Sequence, residues 1–332
     1  MPRPRKTLVS LDATPYYHCS SRCVRRAFLC GEDAVTGQSF EHRRQWIEDR
    51  LLELASVFSI DLCAYAVMHN HYHVVLFVDK DGAVGWSDSD VIERWHRLFK
   101  GTVYSQRFIK GEPLSPGEQP VLDRSVALWR LRLMDISWFM RILNEGIARS
   151  ANREDGCTGR FWEGRFSSQA LLDEKALVTC AAYVDLNPIR AGLAKGLSDS
   201  AHTSIQRRCA QAARVTQPNH PHQQAKGLLP FVGNARTNQP NGLPFRLTDY
   251  LELVDWSGRL LRDDKRGAIA EDTPPILIQL NIDPKHWCYL TRHFESEFKT
   301  LVGSAYKVKA ACAQLGQQWA QGIRACRIAF PT

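Results

Sequence analysis

The 332-residue chain lacks several signals that would place it in a familiar class. No stretch approaches the ~18 apolar residues that span a bilayer, and no signal-peptide core follows the basic first residues. The ten cysteines include no Cys-x-x-Cys pair, so a structural zinc site or a disulfide framework is not expected. There is no internal repeat and no Gly-x-x-x-x-Gly-Lys-Ser/Thr phosphate loop of the kind that helicase parts carry. We therefore expect a soluble, cytoplasmic protein without a membrane partner.

The composition is that of a globular protein with a basic surface. Hydrophobic residues make up 44% of the chain and charged residues 23%, which excludes a disordered or fibrous class. Lysine and arginine number 43 against 35 acidic residues, an excess of eight. Such an excess favours a polyanionic partner, with nucleic acid first.

Hydrophobic periodicity predicts strands and helices in a mixed order. Residues 16–24 and 60–67 are β-prone, and residues 43–58 carry the stripe of an amphipathic helix. A long helical pattern covers residues 126–153, and Asp173 is a candidate N-cap for a helix from 174 to about 186. This order predicts an α+β fold with an antiparallel sheet and flanking helices.

The composition of the chain changes after residue 197. Residues 198–242 are rich in Gln, Asn, Pro, His and Ala with little periodicity, which indicates a linker. Helical patterns resume at 243 and continue to 332. We therefore predict a domain at 1–197, a linker at 198–242 and a helical C-terminal module at 243–332, for which DNA binding is one interpretation.

Three histidines alternate at the start of an apolar run. Because side chains alternate across a strand, His69, His71 and His73 would share one face, followed by Val74 to Val78. Imidazole is the commonest metal ligand in proteins, so a His-x-His pair at a strand end is a candidate metal site. Solvated histidines without a role are an equally good interpretation of this pattern alone.

Cationic and aromatic residues interleave between Gly159 and Phe166. Guanidinium groups suit phosphates and aromatic rings suit unstacked bases, so the segment is a candidate for binding single-stranded nucleic acid. A turn packed into the core explains the same pattern. The candidate residues here are Arg160, Trp162, Arg165 and Phe166.

Tyr183 and Asn187 lie one turn apart near the end of the predicted helix at 174–186. Taken alone, Tyr183 is a half-buried helix residue and Asn187 a cap for the turn that Pro188 begins. Both, however, belong to a longer string, Tyr183-Val-Asp-Leu-Asn187-Pro-Ile-Arg190-Ala-Gly192.

Residues 15–197 resemble the HUH single-tyrosine transposases of the insertion-sequence-200-like superfamily, and especially the REP-associated tyrosine transposases. The family's metal motif, Asn-His-hydrophobic-His, is matched by Asn70 to His73. Its nucleophile motif, a tyrosine before Asn-Pro-x-Arg-Ala-Gly, is matched by the string from Tyr183 to Gly192. His69 departs from the family, which usually has proline there.

The resemblance implies a ferredoxin-like HUH endonuclease fold and a role for each matched residue. It makes His71 and His73 ligands of Mg²⁺ or Mn²⁺, Asn187 a third polar ligand and Tyr183 the nucleophile. It also implies cleavage and rejoining of single-stranded or hairpin DNA through a 5′-phosphotyrosine link, in the bacterial nucleoid, by a monomer or homodimer. Beyond the resemblance, composition adds Arg22, Arg25 and Arg26 as backbone contacts.

Other functions stay open at the level of sequence. One is a domesticated protein that binds hairpin DNA without mobilising it. Others are an HUH enzyme of replication or conjugation, and a metal-dependent hydrolase that activates water.

Overall fold

The computed structural model describes residues 9–24, 29–32, 37–233, 239–261, 273–318 and 320–330. Within these ranges, five strands form one sheet in the order β2-β3-β1-β4-β5. All neighbouring strands pair antiparallel except β4 and β5, which are parallel. The strands are β1 (Tyr16–Arg22), β2 (Ile60–Val67), β3 (His71–Val78), β4 (Ser167–Leu171) and β5 (Leu301–Val302).

Helices flank the sheet, so the predicted α+β fold with an antiparallel sheet is confirmed. The helices are α1 (His42–Val57), α2 (Lys80–Gly85), α3 (Asp88–His96), α4 (Val103–Ile109), α5 (Gln119–Leu133), α6 (Ile136–Glu154), α7 (Glu174–Asp185), α8 (Asn187–Arg190), α9 (Ser204–Ala212), α10 (Leu247–Leu261), α11 (Pro275–Gln279), α12 (Pro284–Glu297), α13 (Ala305–Gln314) and α14 (Ile323–Ala329). Among these elements, no helix of the described residues has the length and apolarity needed to cross a membrane.

One face of the sheet packs against α1 and α6. Tyr65 and Tyr72 lie on this face, and their hydroxyls donate to Glu48 in α1 at 2.5 Å and to Asn144 in α6 at 2.7 Å. With α1 between β1 and β2 and α6 between β3 and β4, the first four strands have the ferredoxin-like β-α-β-β-α-β order. The opposite face, which carries His18 and His73, packs against α7 and α12.

The predicted helix at 126–153 is wrong as a single element. The chain turns at Met134, the C-cap of α5, and Asp135 is the N-cap of α6. The Asp135 carboxylate accepts from the backbone N–H groups of Ser137 and Trp138, which satisfies two of the unpaired donors of a helix start. The N-cap predicted at Asp173 is confirmed, since its carboxylate accepts from the backbone N–H of Ala176 at 2.9 Å.

Residues beyond 197 cover both edges of the sheet. The Tyr65 N–H donates to the Ser204 hydroxyl at 2.8 Å, and the buried Arg208 guanidinium donates to the Cys63 carbonyl at 2.9 Å, so α9 shields the edge of β2. At the other edge, β5 extends the sheet beside β4. The boundaries predicted at 197 and 242 remain a prediction, and segments on both sides of them pack on the same sheet.

Candidate active site

His18 and His73 lie side by side beneath α7. Ser20 of β1 is opposite His73 of β3, so His18 is the diagonal neighbour of His73 on the same face. The His18 Nε2 lies 3.0 Å from the His73 Nδ1, and the two rings stack with centroids 5.2 Å apart. Each histidine is 1% exposed. The pair therefore forms a buried polar centre in the middle of the sheet.

Tyr183 reaches this centre from α7. Its ring centroid is 5.7 Å from that of His73 and 6.4 Å from that of His18, in edge-to-face contact with both. The tyrosine is 6% exposed. Two motifs separated by 110 residues in the sequence thus meet across one face of the sheet.

Glu295 of α12 completes the group. The Tyr183 hydroxyl donates to the Glu295 Oε2 at 3.3 Å, and the Glu295 Oε1 lies 3.6 Å from the His73 Nδ1. The Ser20 hydroxyl also donates to Oε1, at 3.4 Å. A carboxylate from the C-terminal part of the chain therefore bridges the predicted nucleophile and the buried histidine.

Arg190 lies against the other side of Tyr183. Its guanidinium carbon is 3.8 Å from the centroid of the Tyr183 ring, and one of its nitrogens donates to the Thr291 carbonyl of α12 at 2.7 Å. Asn187, one turn from Tyr183, is buried, and its Nδ2 has no hydrogen-bond partner among the described residues. A cation thus stands where negative charge on a tyrosine or a phosphate would develop.

The site holds its histidines neutral. Burial, with His18 and His71 nearby, lowers the pKa of His73 well below its ordinary value, and burial also lowers the pKa of His18. Burial and the neighbouring Arg22 lower the pKa of His71 to about 4. Neutral imidazole is the form that binds a metal, so these groups need not lose a proton to act as ligands at pH 7.

The same burial acts on Tyr183 in the opposite sense. It raises the pKa of the phenol, and although Arg190 opposes this rise, the hydroxyl stays protonated at neutral pH. Tyr183 is therefore a hydrogen-bond donor to Glu295, and the predicted role as a nucleophile requires transfer of its proton.

His71 begins β3, at the end of the sheet next to this centre. Its ring centroid is 4.8 Å from that of His73, and its Nδ1 lies 2.6 Å from the Asn70 Oδ1. The strand does not extend back to His69, whose half-exposed side chain lies 4.0 Å from the Glu41 carboxylate. The three histidines are thus not equivalent.

A buried carboxylate, Asp185, fixes α7, the helix that carries Tyr183. Asp185 accepts from the hydroxyls of Tyr250 at 2.6 Å and Ser204 at 2.5 Å, and from the backbone N–H of Ile205 at 3.1 Å. These partners belong to α10 and α9. Helix α7 is therefore held by α9 and α10 two residues after Tyr183.

The segment from 160 to 166 continues the sheet at the same end. The Glu163 N–H donates to the Arg22 carbonyl at 2.9 Å, and Cys23 forms an isolated bridge with Trp162. Arg22, Arg160 and Arg165 are exposed. Trp162 and Phe166, however, are 8% and 9% exposed, and the Trp162 indole N–H donates to the Asn144 carbonyl. Arg25 and Arg26, predicted to contact the DNA backbone, lie outside the described residues.

Sequence reasoning missed roles for His18, Arg190 and Glu295. The sequence does place Tyr16, His18, Ser20 and Arg22 on one face of a strand, and Arg190 lies inside the matched motif. Neither signal shows that these residues reach Tyr183. Glu295 had no local signal, because its position depends on a contact across 112 residues.

The donors around His73 fit a divalent cation. Two neutral imidazoles and a carboxylate offer ligand atoms that all lie within 4.8 Å of one another. The His73 Nε2 is buried and has no hydrogen-bond partner in the described part of the chain. Buried polar atoms are nearly always hydrogen-bonded, so the unpaired nitrogen indicates a position at which a ligand binds.

No family model and no curated protein matches the chain. Among solved structures, the chain is similar to one described as a REP-associated tyrosine transposase bound to a REP hairpin. The identity is 14% and the TM-score 0.37, over 64% of this chain and 87% of that chain. A likeness at this level assigns no function, so function has to be argued from the site.

Proposed function

We propose that this protein is a metal-dependent, single-tyrosine DNA strand transferase that acts on single-stranded or hairpin DNA. The observation that carries the proposal is the meeting of Tyr183 with His73, whose rings are 5.7 Å apart although 110 residues separate them. The resemblance of the two motifs to those of the tyrosine transposases supports the same function.

In this proposal, His71, His73 and Asn187 would hold Mg²⁺ or Mn²⁺. When bound, the cation would supply positive charge to the scissile phosphate. The neutral state of both imidazoles supports this role, since burial lowers the pKa of each. The Asn187 side chain, one turn from Tyr183, is buried, and its Nδ2 has no hydrogen-bond partner among the described residues.

Tyr183 attacks the phosphorus of the scissile phosphodiester. A bond forms between the tyrosine oxygen and phosphorus while the bond from phosphorus to O3′ breaks, which leaves a 5′-phosphotyrosine and a free 3′-hydroxyl. The phenol proton first passes to Glu295, which already accepts its hydrogen bond, and finally to the departing O3′. Because the phosphodiester energy is kept in the covalent link, another 3′-hydroxyl can reverse the step and join strands without ATP.

Exposed arginines at the same end of the sheet hold the DNA backbone. Arg22 is opposite His71 in the register of β1 and β3, so a strand bound along Arg22, Arg160 and Arg165 passes the site. Arg25 and Arg26 belong to the same proposal by sequence. Trp162 and Phe166 contribute only ring edges at the surface, since most of each ring is buried.

A hairpin-binding protein without strand transfer is the second candidate function. The burial of Tyr183 beneath α12 favours it, because a phosphate must displace the contact with Glu295 to reach the tyrosine. The two candidates differ in one observable, the covalent link.

The test is incubation of the full chain with a labelled single-stranded hairpin oligonucleotide and Mg²⁺ or Mn²⁺, followed by a denaturing gel. We expect a labelled adduct with the wild-type protein and none with Tyr183→Phe, while both bind the oligonucleotide. An adduct that persists in Tyr183→Phe would show that another residue is the nucleophile. Binding without an adduct under either metal would favour the second candidate.

A further inference from the structure

The buried centre contains a donor group that the metal motif of the sequence does not include. It consists of His18 from β1, His73 from β3 and Glu295 from α12, with one potential ligand atom from each within 4.8 Å of the others. His71 is not part of this group, and its Nδ1 is in contact with Asn70. The three elements come from distant parts of the sequence.

Gln169 sets the direction in which His18 presents its lone pair. The Gln169 Nε2 donates to the Phe298 carbonyl at 2.9 Å, which fixes the amide so that its oxygen faces the His18 Nδ1 at 2.7 Å. The His18 Nδ1 must then carry the proton in the neutral ring. The His18 Nε2 therefore points a lone pair toward His73. Histidines that bind a metal commonly donate their other ring N–H to a carbonyl or carboxylate oxygen in this way.

The distances suit shared ligation. Two ligands about 2.1 Å from one ion and about 90° apart are separated by roughly 3.0 Å, and at a tetrahedral angle by roughly 3.4 Å. The His18 Nε2 and the His73 Nδ1 are 3.0 Å apart, and the Glu295 Oε1 is 3.6 Å from the His73 Nδ1. To share an ion, the His18 Nε2 and the His73 Nδ1, which face each other in a hydrogen bond, would have to turn toward the Glu295 carboxylate.

Hydrogen bonding alone leaves this centre incompletely satisfied. If the His73 Nδ1 donates its proton to His18, the His73 Nε2 becomes an acceptor that is buried without a partner in the described residues. Glu295, 37% exposed in its side chain, opens the group toward solvent and gives an ion a path of entry. An ion bound by the His73 Nδ1 replaces the contact between the two histidines with two bonds to metal and puts the His73 proton on Nε2, which stays without a partner in the described residues. Because a neutral ring offers one lone pair, this group is an alternative to His71, His73 and Asn187 as the ligands of the ion.

We infer that His18, His73 and Glu295 form a cation site whose carboxylate comes from the C-terminal module, and that the site takes Mn²⁺ in preference to Mg²⁺. Two imidazoles favour first-row transition ions, whereas Mg²⁺ prefers an all-oxygen shell. The inference depends on the proposed function for the use of the ion, but binding of the ion needs no DNA.

The experiment measures Mn²⁺ binding to the full-length protein without DNA, by the loss of the free-ion electron paramagnetic resonance signal. We expect Glu295→Gln and His18→Ala each to weaken Mn²⁺ binding at least about tenfold. Glu297→Gln is the matched control, because Glu297 lies two residues further along α12 and accepts from the Tyr289 hydroxyl at the surface. It should bind Mn²⁺ like the wild type, and an excess of Mg²⁺ should be needed to displace the ion.

Equal Mn²⁺ affinity in the wild type and Glu295→Gln, or no binding by the wild type, would overturn the site. Displacement by Mg²⁺ at equal concentration would overturn the preference. Near-ultraviolet circular dichroism checks the folding of each variant, and His18→Ala, on a different element, provides the test if Glu295→Gln does not fold. If Mn²⁺ binding depends on Glu295 but no DNA adduct forms, the proposed function is wrong and this inference stands. If a DNA adduct forms but Mn²⁺ binding does not depend on Glu295, this inference is wrong and the proposed function stands.

Discussion

The two faces of the sheet are made from alternate residues of the same strands, yet they bury different chemistry. Toward α1 and α6, strand β3 presents Tyr72, Val74 and Leu76, all completely buried in an apolar core. Toward α7 and α12, it presents His73 beside His18. Burial of polar groups costs stability unless they are paired, and the His73 Nε2 lacks a partner among the described residues. One face therefore supports the fold, while the other keeps a polar centre that packing alone does not explain.

The largest contrast is expected between His73→Ala and Leu76→Ala. Loss of His73 should reduce formation of the DNA adduct at least about a hundredfold, because the proposed metal site loses a ligand. Leu76→Ala opens a cavity in the apolar face and should lower the free energy of unfolding by about 2–5 kcal/mol. The measurements are adduct yield per folded molecule and urea denaturation. Equal effects of both variants on both measurements would remove the distinction between the faces.

The second prediction concerns Asp185, which fixes α7 over the polar face. Burial raises the pKa of its carboxyl from 3.8 to about 6, so between these values the folded state binds more protons than the unfolded state. Its contribution to stability is therefore fully present below the unfolded pKa of 3.8 and is lost as the pH rises through 6. The whole loss amounts to roughly 3 kcal/mol, of which about 2 kcal/mol falls between pH 4 and pH 6. Asp185→Asn should lack this part of the pH dependence, as measured by urea denaturation at pH 4 and pH 6.

Asp61 provides the reference for that experiment. Burial also raises the pKa of Asp61 to about 6, so a residual fall in stability over the same pH range should remain in Asp185→Asn. A pH profile unchanged by Asp185→Asn would show that the carboxyl is ionised throughout, held by its three hydrogen bonds.

The smallest effect is expected for Arg165, one of the exposed arginines at the same end of the sheet as His71. Arg165→Ala should weaken binding of single-stranded DNA a few-fold and lower the slope of log affinity against log salt by about one, because one phosphate contact is lost. Arg124→Ala, which removes an exposed arginine on α5, is the control and should change neither quantity. An equal salt slope for both variants would mean that Arg165 does not contact the backbone.

Local patterns in the sequence were sufficient for most of the sheet and for α7. The span of β2 at 60–67 follows from its β-prone run, and the start of α7 follows from its Asp173 cap. The break between α5 and α6 was missed because hydrophobic periodicity continues through Met134 and masks the cap at Asp135. Periodicity reports which residues are apolar, and it does not show where the backbone stops being helical.

The centre on the polar face was only partly predictable. Tyr183 and His73 belong to recognisable strings, but the partners that surround them are set by strand register and by the packing of α12. The pairing of Ser20 with His73 brings His18 to the site, and the contact between Glu295 and Tyr183 spans 112 residues. The Arg/aromatic segment left two interpretations open, a surface that binds nucleic acid and a turn packed into the core, and the fold buries Trp162 and Phe166.

The late position of Glu295 in the chain also affects when the centre forms during synthesis. At about 5–20 residues per second, a ribosome needs roughly 6–22 seconds to extend the chain from Tyr183 to Glu295, which lie 112 residues apart. Until α12 and β5 emerge, α7 has no carboxylate beside Tyr183 and the outer edge of β4 is unpaired. Tyr183 therefore gains its contact with Glu295 only after a further 112 residues have been made.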